Sequence, residues 1–129
     1  KGFEPHRTDF DWLSTDNSVV DAYVADPLCG FISSVGLFRD MMGGLAVIGK
    51  PDNLKKMNTN LPVYFMSGQM DPVGGNGKGV KKVYHMFLAA GMKDVTLKFY
   101  EGGRHEMLNE SNKDTVYSNI LNWLNAKIH

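Results

Sequence analysis

The chain lacks most of the features that would fix its chemistry at once. It holds a single cysteine, Cys29, among 129 residues, so no internal disulfide can form and the fold must stand without staples, which favours a reducing compartment. No neighbouring His or Lys activates that thiol, and Cys29 is expected to be a small buried hydrophobe. Charge of one sign is missing too. Lys+Arg and Asp+Glu balance at 14 each, and no global field draws the chain toward nucleic acid, an anionic membrane or an acidic substrate. No apolar run approaches the ~20 residues of a membrane span, and no signal peptide is visible. The chain opens "KGFEPHR", without methionine, as a processed or truncated piece would, so the missing targeting segment weighs little. The expected location is cytoplasmic, with peripheral membrane contact left open. No internal repeat stands out, and one domain is the default at this length.

What is present divides near residue 60. Before it the reading is helical with breaks. "STDNSVVDAYVADP" predicts a short helix capped at Ser14 or Thr15 and stopped at Pro27. Ser33 or Ser34 opens a second helix with the stripe Leu37, Phe38, Met41, Leu45 and Ile48, weakened by Gly43 and Gly44 and ended by Pro51. From Leu61 onward the pattern is strand, helix, strand, helix. Val63 to Met66 is a continuous apolar run, as in a parallel strand covered on both faces. Val80, Val83, Tyr84, Phe87 and Leu88 mark one face of a helix that closes at Gly91. Val95, Leu97 and Phe99 alternate with Thr96, Lys98 and Tyr100, a strand with a more polar face, expected near a sheet edge. Ser111 and Asp114 have capping-box spacing ahead of Val116, Tyr117, Ile120, Leu121 and Leu124. The expected fold class is α/β: connecting helices over 1–60 and a βαβα unit over 61–129.

"SGQMDPVGGNGKGVKK", after the first strand, invites a phosphate-loop reading and fails it. Gly77-Lys78 is followed by Gly79 rather than Ser or Thr, and Pro72 stands where the first glycine of a Walker loop belongs. A dinucleotide pattern from Gly75 and Gly77 would need a third glycine where Val80 stands. A flexible loop feeding a helix is the better reading, and no cofactor is expected. "HEMLN" ends in Asn109, so a zinc-protease pair is incomplete, and His6, His85 and His129 have no ligand-like spacing.

Reactive groups in open parallel sheets sit just beyond the carboxyl ends of strands. Asp71 lies four residues after Ser67, and His105 lies five beyond Tyr100, a nearly equal offset on one rim. If a right-handed crossover pairs the two strands directly, their axes are ~5 Å apart and the two side chains come within hydrogen-bond reach. A carboxylate that accepts from one imidazole nitrogen fixes the tautomer and leaves the other free to take a proton from a nucleophile.

"LPVYFMSGQMDPVG", "GKGV", "VTLKFYEGGRHEMLNE" and "NILNWL" resemble the C-terminal part of α/β-hydrolases of the lysophospholipase and monoacylglycerol-lipase type, and "RTDFDWLSTD" with "VDAYVADPLCGF" resembles the end of that family's cap. The resemblance implies that Asp71 and His105 are the acid and base of a catalytic triad, that 1–60 derives from the cap and its connections, and that the substrate is a lipid-like ester. It also implies a nucleophile in a G-x-S-x-G elbow, and none occurs; "ISSVG" has Ile32 at the first glycine position. The chain is therefore expected to be the C-terminal portion of a larger hydrolase and inactive alone. Met41, Met42, Leu45 and Phe31 are expected to pack in the core rather than line an acyl pocket. Ser67, Arg104, Glu106 and Glu110 are expected to be structural or solvated. In the family the strand Val63–Met66 has a neighbour on each side, so the isolated chain is expected to self-associate along its open edge. The competing reading is a non-catalytic α/β interaction module, in which Asp71 and His105 would point apart.

Overall fold

The computed structural model describes residues 2–128; His129 lies outside them. The elements run α1 (Asn17–Ala25), α2 (Val35–Ile48), α3 (Pro51–Leu54), β1 (Val63–Gly68), α4 (Lys78–Ala89), β2 (Val95–Tyr100), a 3-10 turn (Met107–Asn109) and α5 (Lys113–Asn125). β1 and β2 pair in parallel with Val63 opposite Val95 and Gly68 opposite Tyr100, the direct pairing expected of the crossover through α4. β1 runs two residues further than its apolar core suggests, because Ser67 and Gly68 are buried at the strand end.

Alternation along the strands assigns a helix to each face. Phe65 meets Phe87 of α4 edge-on at 5.0 Å. Its neighbour Tyr64 stacks on Trp123 of α5 at 5.3 Å, and the Trp123 indole N–H donates to the Thr96 hydroxyl at 3.2 Å. Met66, Tyr100, Met107, Val116 and Ile120 form the packed core on the α5 side. Tyr100, grouped by the alternation with the polar face, is buried there, its hydroxyl accepting from the Asn119 amide.

Several sequence expectations are corrected. The first helix is capped by Asp16, whose carboxylate accepts from the Ser18 amide, because Ser14 and Thr15 spend their hydroxyls on the loop around Asn109 and Glu110. The capping box at Ser111 and Asp114 does not form: α5 starts at Lys113 after Asn112 without a side-chain cap, and the Ser111 hydroxyl pairs with that of Thr15 at 2.8 Å. Pro51 ends α2 but also begins α3, where its fixed φ and missing N–H suit a first helical turn. Ser34 caps α2 by accepting from the Leu37 amide. That helix runs unbroken through Gly43 and Gly44 and buries no residue. Met41, Met42, Leu45 and Phe31 are all exposed, which overturns core packing for them within the described residues. Cys29 is partly rather than fully buried, and burial, with Asp26 beside it, pushes its thiol pKa up, away from reactivity.

Candidate active site

The site is built where the two strands end. The β1 backbone at Gly68 meets the loop after β2 so closely that a Cβ there would lie 2.2 Å from the carbonyl oxygens of Gly103 and Arg104. Only glycine permits that approach. The contact continues as the Gln69 amide donates to the Tyr100 carbonyl at 3.0 Å and the Met70 amide to the Gly103 carbonyl at 2.9 Å, which ties the two rim loops together. Asp71 follows in a tight turn, its Oδ1 accepting from the Val73 amide at 2.9 Å and its carbonyl from the Asn76 amide at 2.8 Å. The glycine-rich loop completes that turn. Gly75, Asn76 and Gly77 all adopt positive φ, and a Cβ on Gly77 would strike the Phe99 ring at 2.9 Å, so the glycines serve a compact strand-to-helix passage.

His105 Nδ1 lies 3.2 Å from Asp71 Oδ1. The Asp71 side chain is 10% exposed and the His105 side chain 38%, so the carboxylate is sheltered while the imidazole opens toward solvent. With Nδ1 bonded to a carboxylate, the imidazole carries its proton there and presents Nε2 as a proton acceptor. The Trp12 ring lies against the imidazole, centroids 5.1 Å apart and planes tilted by 52°. Beside it a cleft of about 410 Å³ is lined by Phe3, His6, Asp9, Trp12, Gln69, Met70 and Pro72, among others.

The residues flanking the pair divide as expected, with one surprise. Ser67 is buried and donates to the Gly68 carbonyl. Glu106 accepts from the Asn109 side-chain amide at the surface. The Arg104 guanidinium lies over the Phe3 ring at 4.3 Å, and its Nη1 donates to the Asp11 and Ser14 carbonyls. Glu110 is the surprise: it is 1% exposed and accepts from several main-chain amides. Sequence reasoning missed the segment Asp11–Thr15 that these groups hold, since main-chain carbonyls leave no mark in side-chain pattern. Among the described residues no group of three or more His, Cys, Asp or Glu could hold a metal ion, and no helix is long and apolar enough to cross a membrane.

A monoacylglycerol lipase of Mycolicibacterium smegmatis is 29% identical over 128 residues, which cover 95% of this chain and 41% of the relative. The structure of a thermostable carboxyl esterase from Bacillus coagulans, solved with glycerol, superposes with a TM-score of 0.85 at 28% identity, over 96% of this chain and 41% of that one. A soluble variant of monoglyceride lipase from Saccharomyces cerevisiae, solved with a substrate analog, gives a TM-score of 0.75 at 25% identity, over 93% and 42%. The chain thus spans about two fifths of the length of these relatives. The family model described as serine aminopeptidase, S33, matches residues 2–112, and with the shared fold this places the chain in the S33 family of α/β-hydrolases.

Proposed function

We propose that this chain supplies the acid and the base of a Ser-Asp-His triad in a hydrolase that cleaves carboxylic esters of lipid-like alcohols, a monoacylglycerol or a lysophospholipid. The observation that carries the reading is the 3.2 Å approach of Asp71 Oδ1 to His105 Nδ1 beyond two adjacent parallel strands. Asp71 holds the tautomer and stabilises the imidazolium. His105 Nε2 takes the proton from a serine hydroxyl supplied by sequence outside these 129 residues, as its oxygen attacks the ester carbonyl. The same proton passes to the departing alkoxide, leaving an acyl-enzyme. Water then attacks the acyl carbon, giving its proton to Nε2, and the carboxylic acid leaves as the serine recovers its hydrogen. The named lipase and esterase relatives favour an ester substrate, whereas the family description names an aminopeptidase, so the scissile bond needs a direct test.

The experiment is to offer the full-length protein a monoacylglycerol and an aminoacyl p-nitroanilide. We expect fatty-acid release from the ester, little cleavage of the anilide, and loss of both in His105→Ala. Preference for the anilide would move the substrate class to peptides. Ester cleavage undiminished in His105→Ala would overturn the role given to that residue. The 129-residue chain alone lacks nucleophile and oxyanion donors and is expected to show no saturable hydrolysis of a p-nitrophenyl ester.

A further inference from the structure

Among the described residues the most fully buried charged side chain lies outside the Asp71–His105 pair. The Glu110 carboxylate, 1% exposed, accepts from the main-chain amides of Thr15 at 3.1 Å, Arg104 at 2.8 Å and Ser111 at 3.0 Å, and from the Thr15 hydroxyl. A buried carboxylate is costly unless its lone pairs are filled, and here neutral main-chain donors fill them. Ser111 is the next residue in the chain, while Thr15 and Arg104 belong to other segments, so the charge fastens those two segments to its own backbone.

One of those attachments is at the residue before the proposed catalytic base. Three consecutive amides are held: Arg104 on Glu110, His105 on the Trp12 carbonyl at 3.3 Å, and Glu106 on the Leu13 carbonyl at 2.8 Å. The Arg104 side chain returns to the carbonyls of Asp11 and Ser14, and the Ser14 hydroxyl donates to the Asn109 carbonyl. Asp11 to Thr15 is therefore a strap laid along the His105 loop, fastened at its far end by Glu110. The strap also delivers the Trp12 ring to the imidazole.

We propose that Glu110 is a positioning residue, whose carboxylate locks the strap to the His105 loop and thereby holds the imidazole on Asp71. The proposal rests on the triad reading given above for its effect on turnover, but its geometric part does not. Without the carboxylate the Arg104 amide loses its partner, the strap lifts at Thr15, and His105 shifts. A misplacement of about 1 Å in such a group costs on the order of 100-fold in rate.

The test uses the full-length protein carrying Glu110→Ala, Glu110→Gln or Thr15→Val, with two readouts. One is kcat and KM on the ester substrate; the other is the proton NMR resonance of the His105 Nδ1–H bonded to Asp71. We expect Glu110→Ala to lower kcat about 100-fold with KM changed less than about threefold, and to displace or broaden the Nδ1–H resonance. Glu110→Gln, which keeps one acceptor oxygen, should fall between. A lower folded fraction alone would reduce signal and activity without moving the resonance. If both Glu110 variants fail to fold, Thr15→Val decides: it removes one hydroxyl donor, and a shifted resonance is expected. Should the wild-type protein hydrolyse neither the ester nor the anilide, the triad reading fails and the resonance alone tests the positioning; should it cleave only the anilide, kcat and KM are read on that substrate. A folded Glu110→Ala with wild-type kcat and an unmoved Nδ1–H resonance would overturn the proposal, as would a folded Thr15→Val with an unmoved resonance where neither Glu110 variant folds.

Discussion

Helix α2 and the rim around Glu110 handle burial in opposite ways. α2 is strongly apolar, with Val35, Phe38, Met42 and Leu45 along its length, yet none of its residues is buried. The rim is polar, yet Asp11, Ser14, Ser67, Asp71 and Glu110 are all buried there. The rim groups can be buried because each has a hydrogen-bond partner within the chain. The α2 side chains are exposed because hydrophobic burial needs a second surface at close range, and among the described residues only the C-terminal end of α2, at Leu45 and Ile48, faces one, across a cavity lined by Leu54, Val83, Met86 and Phe87. These rim groups thus find their partners within the chain, while the helical layer leaves its apolar face open; the chain spans 41% of its monoacylglycerol lipase relative.

The sharpest way to break that contrast is at the glycines. Gly68→Ala forces a Cβ to within 2.2 Å of two main-chain oxygens of the His105 loop, and overpacking of backbone on backbone should destabilise by about 3 kcal/mol, measured by urea denaturation. Next in size is association. The isolated chain is proposed to self-associate through the open edge of β1, helped by its uncovered apolar surface. Light scattering over a concentration series should show mass rising with concentration, and Phe38→Lys should weaken the rise where α2 contributes. A monodisperse monomer at high concentration would mean that the helices cover the edge. Gly43→Ala and Gly44→Ala should do the reverse of Gly68→Ala, because nothing lies within 4 Å of the added Cβ atoms and Ala is the better helix former by about 1 kcal/mol; a gain in the urea midpoint is expected for each.

The smallest effect concerns acid. The Thr8 hydroxyl and the Arg7 amide donate to the Asp11 carboxylate and lower its pKa to about 2, against ~3.9 in an unfolded chain. Its stabilisation is complete above about pH 4 and is lost as pH falls toward 2. Asp11→Asn should therefore flatten the stability profile between those limits by lowering stability above about pH 4, while leaving stability near pH 2 unchanged. An equally steep acid limb in the variant would assign that limb to other carboxylates.

Legibility from sequence followed the same divide. The βαβα order and the meeting of Asp71 with His105 could be read, because both residues sit at similar offsets beyond strands whose apolar runs mark them, and a parallel register then fixes their distance. The strap could not. Its contacts run through the carbonyls of residues 11 to 14, and Ser14 and Thr15 read as helix caps because capping uses the same hydroxyl chemistry. The α2 stripe reads correctly as a helix, and Met41, Met42 and Leu45 read wrongly as packed, since periodicity tells which face is apolar but not whether anything covers it. Glu110 reads only as structural or solvated, because nothing in "HEMLNE" says that a carboxylate five residues on will fold back onto the His105 loop.

The most direct test of the account is Asp71→Asn in the full-length protein, with kcat and KM measured on a monoacylglycerol. The amide can donate to the imidazole and stabilise the wrong tautomer, where the carboxylate only accepts. The account predicts a fall in kcat of about 10⁴-fold, the size seen for a triad acid, with KM little changed. A loss below about tenfold would contradict it and assign the acid's role to another carboxylate.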